Sequence, residues 1–409
     1  MEEEVKIVEP EKRPDEDELR QELARIRDAA ENTKKNNTVK IIGIIIVAIL
    51  AVVLLTFGMM AVRDSFGNGK KNQASMTDED KTTITNGETI NLDEYSEGVS
   101  ITAGGEYNLT GRINAPVVVD SLEDVVLRLN GATIETSGTP AIASVGEGAI
   151  TIEIMDGTEN NLSDGGDSEY DGCIFAYGPM TITGNGRLNV YGEQNDGEGI
   201  ATKSAPITIE GGEIYIESAD DGINTGGNGG AIAINGGTVT IKAGGDGIDS
   251  NKNIVINGGV LYAMGSSRGG DAGIDAEDGY VINGGTVVAL GSDMLETPKT
   301  SSKQNTLALN LSSNITANTL VTLTNNNGDV VVSFVTKESF RTLIISTPKL
   351  ENGTYKLYTG GSNSGKLVNN FYNDGKFSGG TAVTVGNTAV FTVNSVVTMV
   401  GNNGRPMSR

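Results

Sequence analysis

Short runs of alternating apolar and polar residues fill the middle of this chain, and glycine closes most of them. One set reads GIATK, GINT, GIDS and GIDA; a second PITIEGG, AIAINGG, NIVINGG and YVINGG; a third EIYIES, TVTIKA, VLYAMG and TVVALG. An apolar period of two predicts β-strands and excludes a helical solenoid, whose period is 3.6. Gly-Ile stands at 199–200, 222–223, 247–248 and 273–274, and Gly-Gly at 211–212, 236–237, 258–259 and 284–285. A spacing of 22 to 26 residues with three strands per repeat is the pattern of a coil stacked on itself. Four apolar columns align: Ile200, Ile223, Ile248, Ile274; Ile209, Ile234, Ile256, Ile282; Ile214, Val239, Leu261, Val287; and Ile216, Ile241, Ala263, Ala289. These point inward, so the prediction is a parallel β-helix in which each repeat position recurs about every 4.8 Å.

On either side the pattern changes. Residues 41–62 carry no charge, and at about 1.5 Å per residue they match the hydrocarbon core, which predicts one transmembrane α-helix. Arg25, Arg27, Lys34, Lys35 and Lys40 precede it, against Arg63, Lys70 and Lys71 after it. That bias predicts a single-pass cell-membrane protein with residues 1–40 cytoplasmic and everything after 63 extracellular. In the tail, residues 15–31 read as a short helix with Leu19, Leu23, Ile26 and Ala30 on one stripe, a surface for a cytoplasmic partner or a charged helix with none. Residues 63–85 read as a flexible linker, residues 86–300 as the β-helix, with looser early turns, and ENNLSDGGDSEYD after Ile154 as a projecting loop. From 301 to 409 the repeat is lost. NTLALNL, LVTLTN, DVVVSFVT, RTLIIST and GTYKLYTGG predict antiparallel strands that either cap the coil's open end or form a separate β module.

Composition narrows the chemistry. The 409 residues include 56 glycines, 9 prolines, no histidine and a single cysteine, Cys173. Without imidazole there is no Ser-His-Asp or Cys-His centre and no ligand set for zinc or copper. The formal charge is −23, of which residues 1–40 hold only 12 acidic and 9 basic groups, so the acidity lies mostly in the repeat region. No basic stripe suits nucleic acid.

The acids cluster around each Gly-Ile: Asp196 and Glu198; Asp220 and Asp221, with Asn224; Asp246 and Asp249; Asp271 and Asp275. Stacking turns brings Asp221, Asp246 and Asp271 over one another. Aligned carboxylates repel unless neutralised, and hard oxygens from adjacent turns are what Ca²⁺ takes. The competing reading makes these residues turn formers only.

On the outward face of the third strand, Asn189, Tyr215, Thr240, Tyr262 and Val288 form one column and Tyr191, Glu217, Lys242, Met264 and Leu290 the next. Tyrosine rings on a long flat sheet suit the stacking of sugars, with Lys242 available to hydroxyls or carboxylates. Tyr191, Tyr215, Lys242 and Tyr262 are therefore carbohydrate-binding candidates; the alternative is an ordinary sheet surface. No catalytic centre is predicted. A calcium-dependent lyase would need a base, for which Lys242 and Lys252 are the nearest candidates.

The stretch DDGINTGGNGGAIAINGGTVTIKAGGDGIDSNKNIVINGG resembles the extracellular carbohydrate-binding β-helix proteins of bacteria and archaea, which bind cellulose and acidic sugars such as polygalacturonate. NNNGDVVVSF and TLIISTPKLENGTYKLYTGG are similar to the same family. The resemblance implies a right-handed coil similar to that of family 9 pectate lyases, Ca²⁺ between turns at Asp220, Asp221, Asp246, Asp249, Asp271 and Asp275, and binding rather than cleavage. Asn224, and Ala272 where other turns have Asp, depart from it. The resulting expectation is a membrane-anchored, calcium-stabilised, polysaccharide-binding β-helix, with a polysaccharide lyase or a structural adhesin as alternatives.

Overall fold

The computed structural model describes residues 82–401, apart from 85–88, 167, 169, 195, 196 and 228. The expected cytoplasmic helix, the apolar span 41–62, most of the linker and Asp196 lie outside the described residues. Among the described residues no helix is long and apolar enough to cross a membrane.

Three strands per turn wind a parallel coil. One face is a nine-stranded parallel sheet from Thr82–Ile84 through Ile174–Ala176, Ile200–Thr202, Ile223–Thr225 and Ile248–Ser250 to Asp275–Ala276. The coil thus takes in Thr82–Ile84, within the expected linker, which pairs in parallel with Val99–Ile101. The second face stacks Met180–Gly184, Ile207–Ile209, Ile232–Ile234, Ile254–Ile256 and Tyr280–Ile282. The third stacks Arg187–Gln194, Glu213–Ser218, Thr238–Lys242, Val260–Met264 and Thr286–Gly291.

The register is the one the apolar columns call for. Ile214 sits on Val239, Val239 on Leu261 and Leu261 on Val287, all fully buried or nearly so. The Gly of Gly-Ile has a packing reason. A Cβ on Gly222 would lie 2.2 Å from Ile241 Cγ2 and 2.5 Å from the Gly247 carbonyl oxygen, so a side chain there cannot fit beside the inward column. The second Gly of each Gly-Gly turns the chain with positive φ, 78° at Gly237 and 79° at Gly259, which disfavours other residues. Asparagines before it stack on the outside: Asn283 Nδ2 donates to Asn257 Oδ1 at 2.9 Å, and Asn257 Nδ2 to Asn235 Oδ1 at 2.8 Å.

The segment expected to loop out is different. Glu159–Gly166 forms a rung of the third sheet between Val125–Glu135 and Arg187–Gln194. The alternation is hidden because Asn160 points inward. It is fully buried, and its Oδ1 accepts from the Gly131 and Ala132 N–H groups, both at 2.9 Å. Its Nδ2 donates to Thr158 Oγ1 and to the Arg187 carbonyl, so no polar atom is stranded.

After residue 300 the chain both caps the coil and builds a module. Phe340–Ser346 pairs antiparallel with the last rung, Thr286–Gly291, and Thr306–Ile315 and Val397–Val400 extend the sheet beyond it. A separate antiparallel sheet contains Leu320–Asn325, Val330–Val335, Gly353–Thr359 and Phe371–Asn373. Its apolar side packs on the outward face of the last rungs. Tyr262, Met264, Val288 and Leu290 join Phe334, Phe340 and Leu357 in a second core.

Candidate functional site

Two surfaces of the coil carry chemistry. The first is the edge where each turn enters the first sheet. Cys173, Gly199, Gly222 and Gly247 N–H groups donate to the carbonyls of Glu198, Asp221, Asp246 and Ala272 respectively. That repeated bond fixes the column as Glu198, Asp221, Asp246, Ala272. Asp271 falls one residue out of this register, in line with Asp220 and Gly245, because the Gly-Ile column holds, with Asp275 on Asp249 and Ala272 over Asp246. The expected stack of Asp221 and Asp246 is present, whereas Asp271 is displaced from it. The neighbouring outward column runs Phe175, Ala201, Asn224, Asp249, Asp275.

Backbone bonds tie the carboxylates from turn to turn. The Asp246 N–H donates to Asp221 Oδ1 at 2.7 Å, and the Ala272 N–H donates to Asp246 Oδ1. Asn224 Nδ2 bridges Glu198 Oε1 at 2.9 Å and Asp221 Oδ2 at 3.0 Å. These bonds give the acids the turn role that the simpler reading assigned them. They do not discharge the site. Burial, helped by the facing Asp171 carboxyl, pushes Glu198 up to about 10. Burial likewise raises Asp221 to about 7 and Asp246 to about 8, with nearby carboxylates adding to it. Glu198 is 5 % exposed, and its Oε2 meets no donor unless a proton is shared with the facing Asp171 carboxyl. Among the described residues no three acidic or cysteine side chains close into a ready metal cage. The donors are a row of hard oxygens, whose chemistry suits calcium more than any softer ion.

Glu198, grouped with Asp196 in the sequence, is the most buried acid of this edge, and beside it lies an aromatic group that the periodicity did not reveal. Tyr170 and Tyr177 pack on Phe175 at centroid separations of 5.3 and 5.2 Å, and Tyr177 is 44 % exposed. Phe175 sits at the repeat position that later turns fill with Asn224 and Asp249, and that substitution was the available signal.

The second surface is the outward face of the third sheet. Both columns hold their expected register. Tyr191 and Tyr215 are half-buried, with centroids 6.1 Å apart. Tyr215 Oη donates to Glu217 Oε2 at 2.9 Å, and Lys242 Nζ donates to Glu217 Oε1 at 2.7 Å. Arg187 pairs with Glu213 on the same face. Tyr262 must be withdrawn as a carbohydrate contact. It is 1 % exposed, with Phe334 and Phe371 at centroid distances of 6.2 and 6.0 Å, because the C-terminal module covers its rung.

The lysines lack the setting of a base. The hydrogen bond to Glu217 holds Lys242 above the ordinary lysine value, with Glu338 3.6 Å away, so it stays protonated. Lys252 lies on a different part of the turn, 4.0 Å from Asp278.

A carbohydrate-binding domain-containing protein of Acetivibrio thermocellus is 30 % identical over 173 residues, which are 39 % of this chain and 59 % of that protein. The chain therefore spans little more than half of that relative's length. A solved polysaccharide lyase-like protein from C. thermocellum is 24 % identical with a TM-score of 0.35, over 53 % of this chain and 78 % of the other. Residues 95–361, which take in the coil from its early turns and much of the C-terminal module, match one family throughout, and the chain belongs to the carbohydrate-binding domain-containing proteins.

Proposed function

We propose that this chain is a polysaccharide-binding protein, carried on the outer side of a membrane by residues 41–62, that contacts sugar through the exposed outward face of its third sheet. The observation that carries the reading is the Tyr191–Tyr215 ring pair, flanked by ionic and amide groups on a flat sheet, in a member of a carbohydrate-binding family. Tyrosine rings stack on the apolar faces of sugars, while Glu217, Lys242 and Arg187 offer donors and acceptors to hydroxyls.

Calcium belongs to this proposal at the acidic edge. Ions held between adjacent turns by pairs among Glu198, Asp221, Asp246, Asp249 and Asp275, together with backbone carbonyls, would supply positive charge where raised carboxyl pKa values mark its lack. The chain's own residues meanwhile join the turns by backbone bonds to Asp221 and Asp246. An ion there also lets an acidic protein approach an anionic glycan. Lys242, ion-paired and protonated, argues for binding over lyase chemistry.

A glycan array probed with the full-length protein, with calcium and with chelator, tests the reading. Calcium-supported binding to cellulose-like or uronate polymers is the expected outcome. No glycan bound under either condition would overturn it.

A further inference from the structure

The third-sheet face ends at a wall. Outward positions are half-buried at Tyr215 and Lys242, but at Tyr262, Met264, Val288 and Leu290 they are covered by the C-terminal module. At the step between them lies a cleft of about 550 Å³. Tyr215, Thr240 and Lys242 line its sheet side, and Lys337, Leu367 and Asn370 its module side.

Two features mark this cleft as built for a ligand. Asn369 and Asn370, φ 46° and 68°, are the two-residue turn of the hairpin that pairs Val368 with Phe371, and this turn places Asn370 at the cleft. Asn370 is 8 % exposed, and its Nδ2 is covered with no acceptor, a state native side chains rarely keep. Leu367 is 45 % exposed at the rim, which leaves apolar surface facing the tyrosine side. The charges nearly balance. Arg187 pairs with Glu213, and Lys242 with Glu217 and Glu338, while Lys337 forms no ion pair among the described residues.

We infer that this cleft receives the end of a neutral glycan chain lying along the third sheet, the module wall stopping the chain where Tyr215 stacks on its terminal sugar and Asn370 turns its amide to a sugar hydroxyl. The inference rests on the polysaccharide-binding reading and adds the site and the polarity of the ligand. An open sheet would take a polymer anywhere along its length. A face blocked at Tyr262 favours a ligand with a terminus, because a continuous chain must leave the sheet there. Near-balanced charge favours a neutral sugar, since every fixed cation but Lys337 already has a carboxylate.

Titration calorimetry of the full-length protein with a soluble β-glucan, intact and after limited depolymerisation at equal mass, reads this directly. Sites per gram should rise with the number of chain ends, and Tyr215→Ala should weaken binding by about tenfold or more. Asn370→Gly keeps the left-handed backbone and removes the orphaned amide. It should leave the melting temperature unchanged or higher while weakening binding by about tenfold. A structural role alone would move the melting temperature and spare affinity, overturning the inference. Binding capacity that follows polymer mass regardless of ends would overturn the end-binding site and leave polysaccharide binding standing. Preference for polygalacturonate ends over glucan ends would overturn the neutral assignment, and no binding to any of them would overturn both readings.

Discussion

Tyr215 and Tyr262 occupy the same repeat position two turns apart, joined through Thr240 in one column of the third sheet. One stands half-open beside Tyr191; the other is sealed between Phe334 and Phe371. The first sheet repeats the contrast. Its outward column is apolar and buried at Phe175 and Ala201, then polar at Asn224 and acidic at Asp249 and Asp275. A stacked coil makes equivalent positions geometrically alike, so the two tyrosines differ through what packs over each, whereas the first-sheet column differs through the residue each turn supplies.

The largest effect should come from the two tyrosines themselves. Tyr262→Ala removes a buried ring from the second core and should cost about 3–5 kcal/mol in chemical denaturation. Tyr215→Ala should change stability by under about 1 kcal/mol while losing glycan affinity. Equal stability losses would erase the distinction.

The acidic stretch of the first sheet can be sharpened by pH. Glu198, Asp221 and Asp246 bind protons more tightly in the fold than unfolded carboxyls, which titrate near about 4. Folded values above unfolded ones stabilise at low pH, and that contribution fades as pH rises from the unfolded value through about 7 for Asp221, about 8 for Asp246 and about 10 for Glu198. Chelated protein should therefore melt at least about 5 °C lower at pH 8 than at pH 5, given a few kcal/mol spread over a unit this size. Millimolar calcium should flatten that slope, and scanning calorimetry with and without the ion checks it. Asp246→Asn should raise the pH 8 melting temperature in chelator and blunt the calcium response, where a pure turn role predicts a loss in both conditions.

The smallest effect belongs to Lys242, on the boundary between open and covered rungs. Its pairs with Glu217 and Glu338 are partly solvated, so Lys242→Met should shift stability by under about 1 kcal/mol. A loss of several kcal/mol would mean that the module is pinned through this residue.

The coil was legible because its rule is local and repeated. Inward isoleucines every second residue, Gly-Ile where no Cβ fits, and Gly-Gly at positive φ together declare register and strand faces. The rule failed where side chains broke the alternation yet satisfied themselves, as Asn160 does by bonding four backbone and side-chain partners inside the coil. The acidic edge shows the opposite case: the Gly-Ile column itself, with Ile274 over Ile248, puts Ala272 over Asp246, and the expected Asp271 stack conflicted with that register.

By itself, then, the sequence determined the three-stranded turn, the inward columns, the acidic edge and the lack of histidine chemistry, since periodicity and composition are properties of neighbours along the chain. Tertiary structure alone decided that Tyr262 is core and Tyr215 surface, that Glu198 is buried, and that a cleft opens where module meets coil. The tyrosine and cleft outcomes depend on contacts with the distant C-terminal module, and that of Glu198 on side chains of the adjacent turns, which no local pattern encodes.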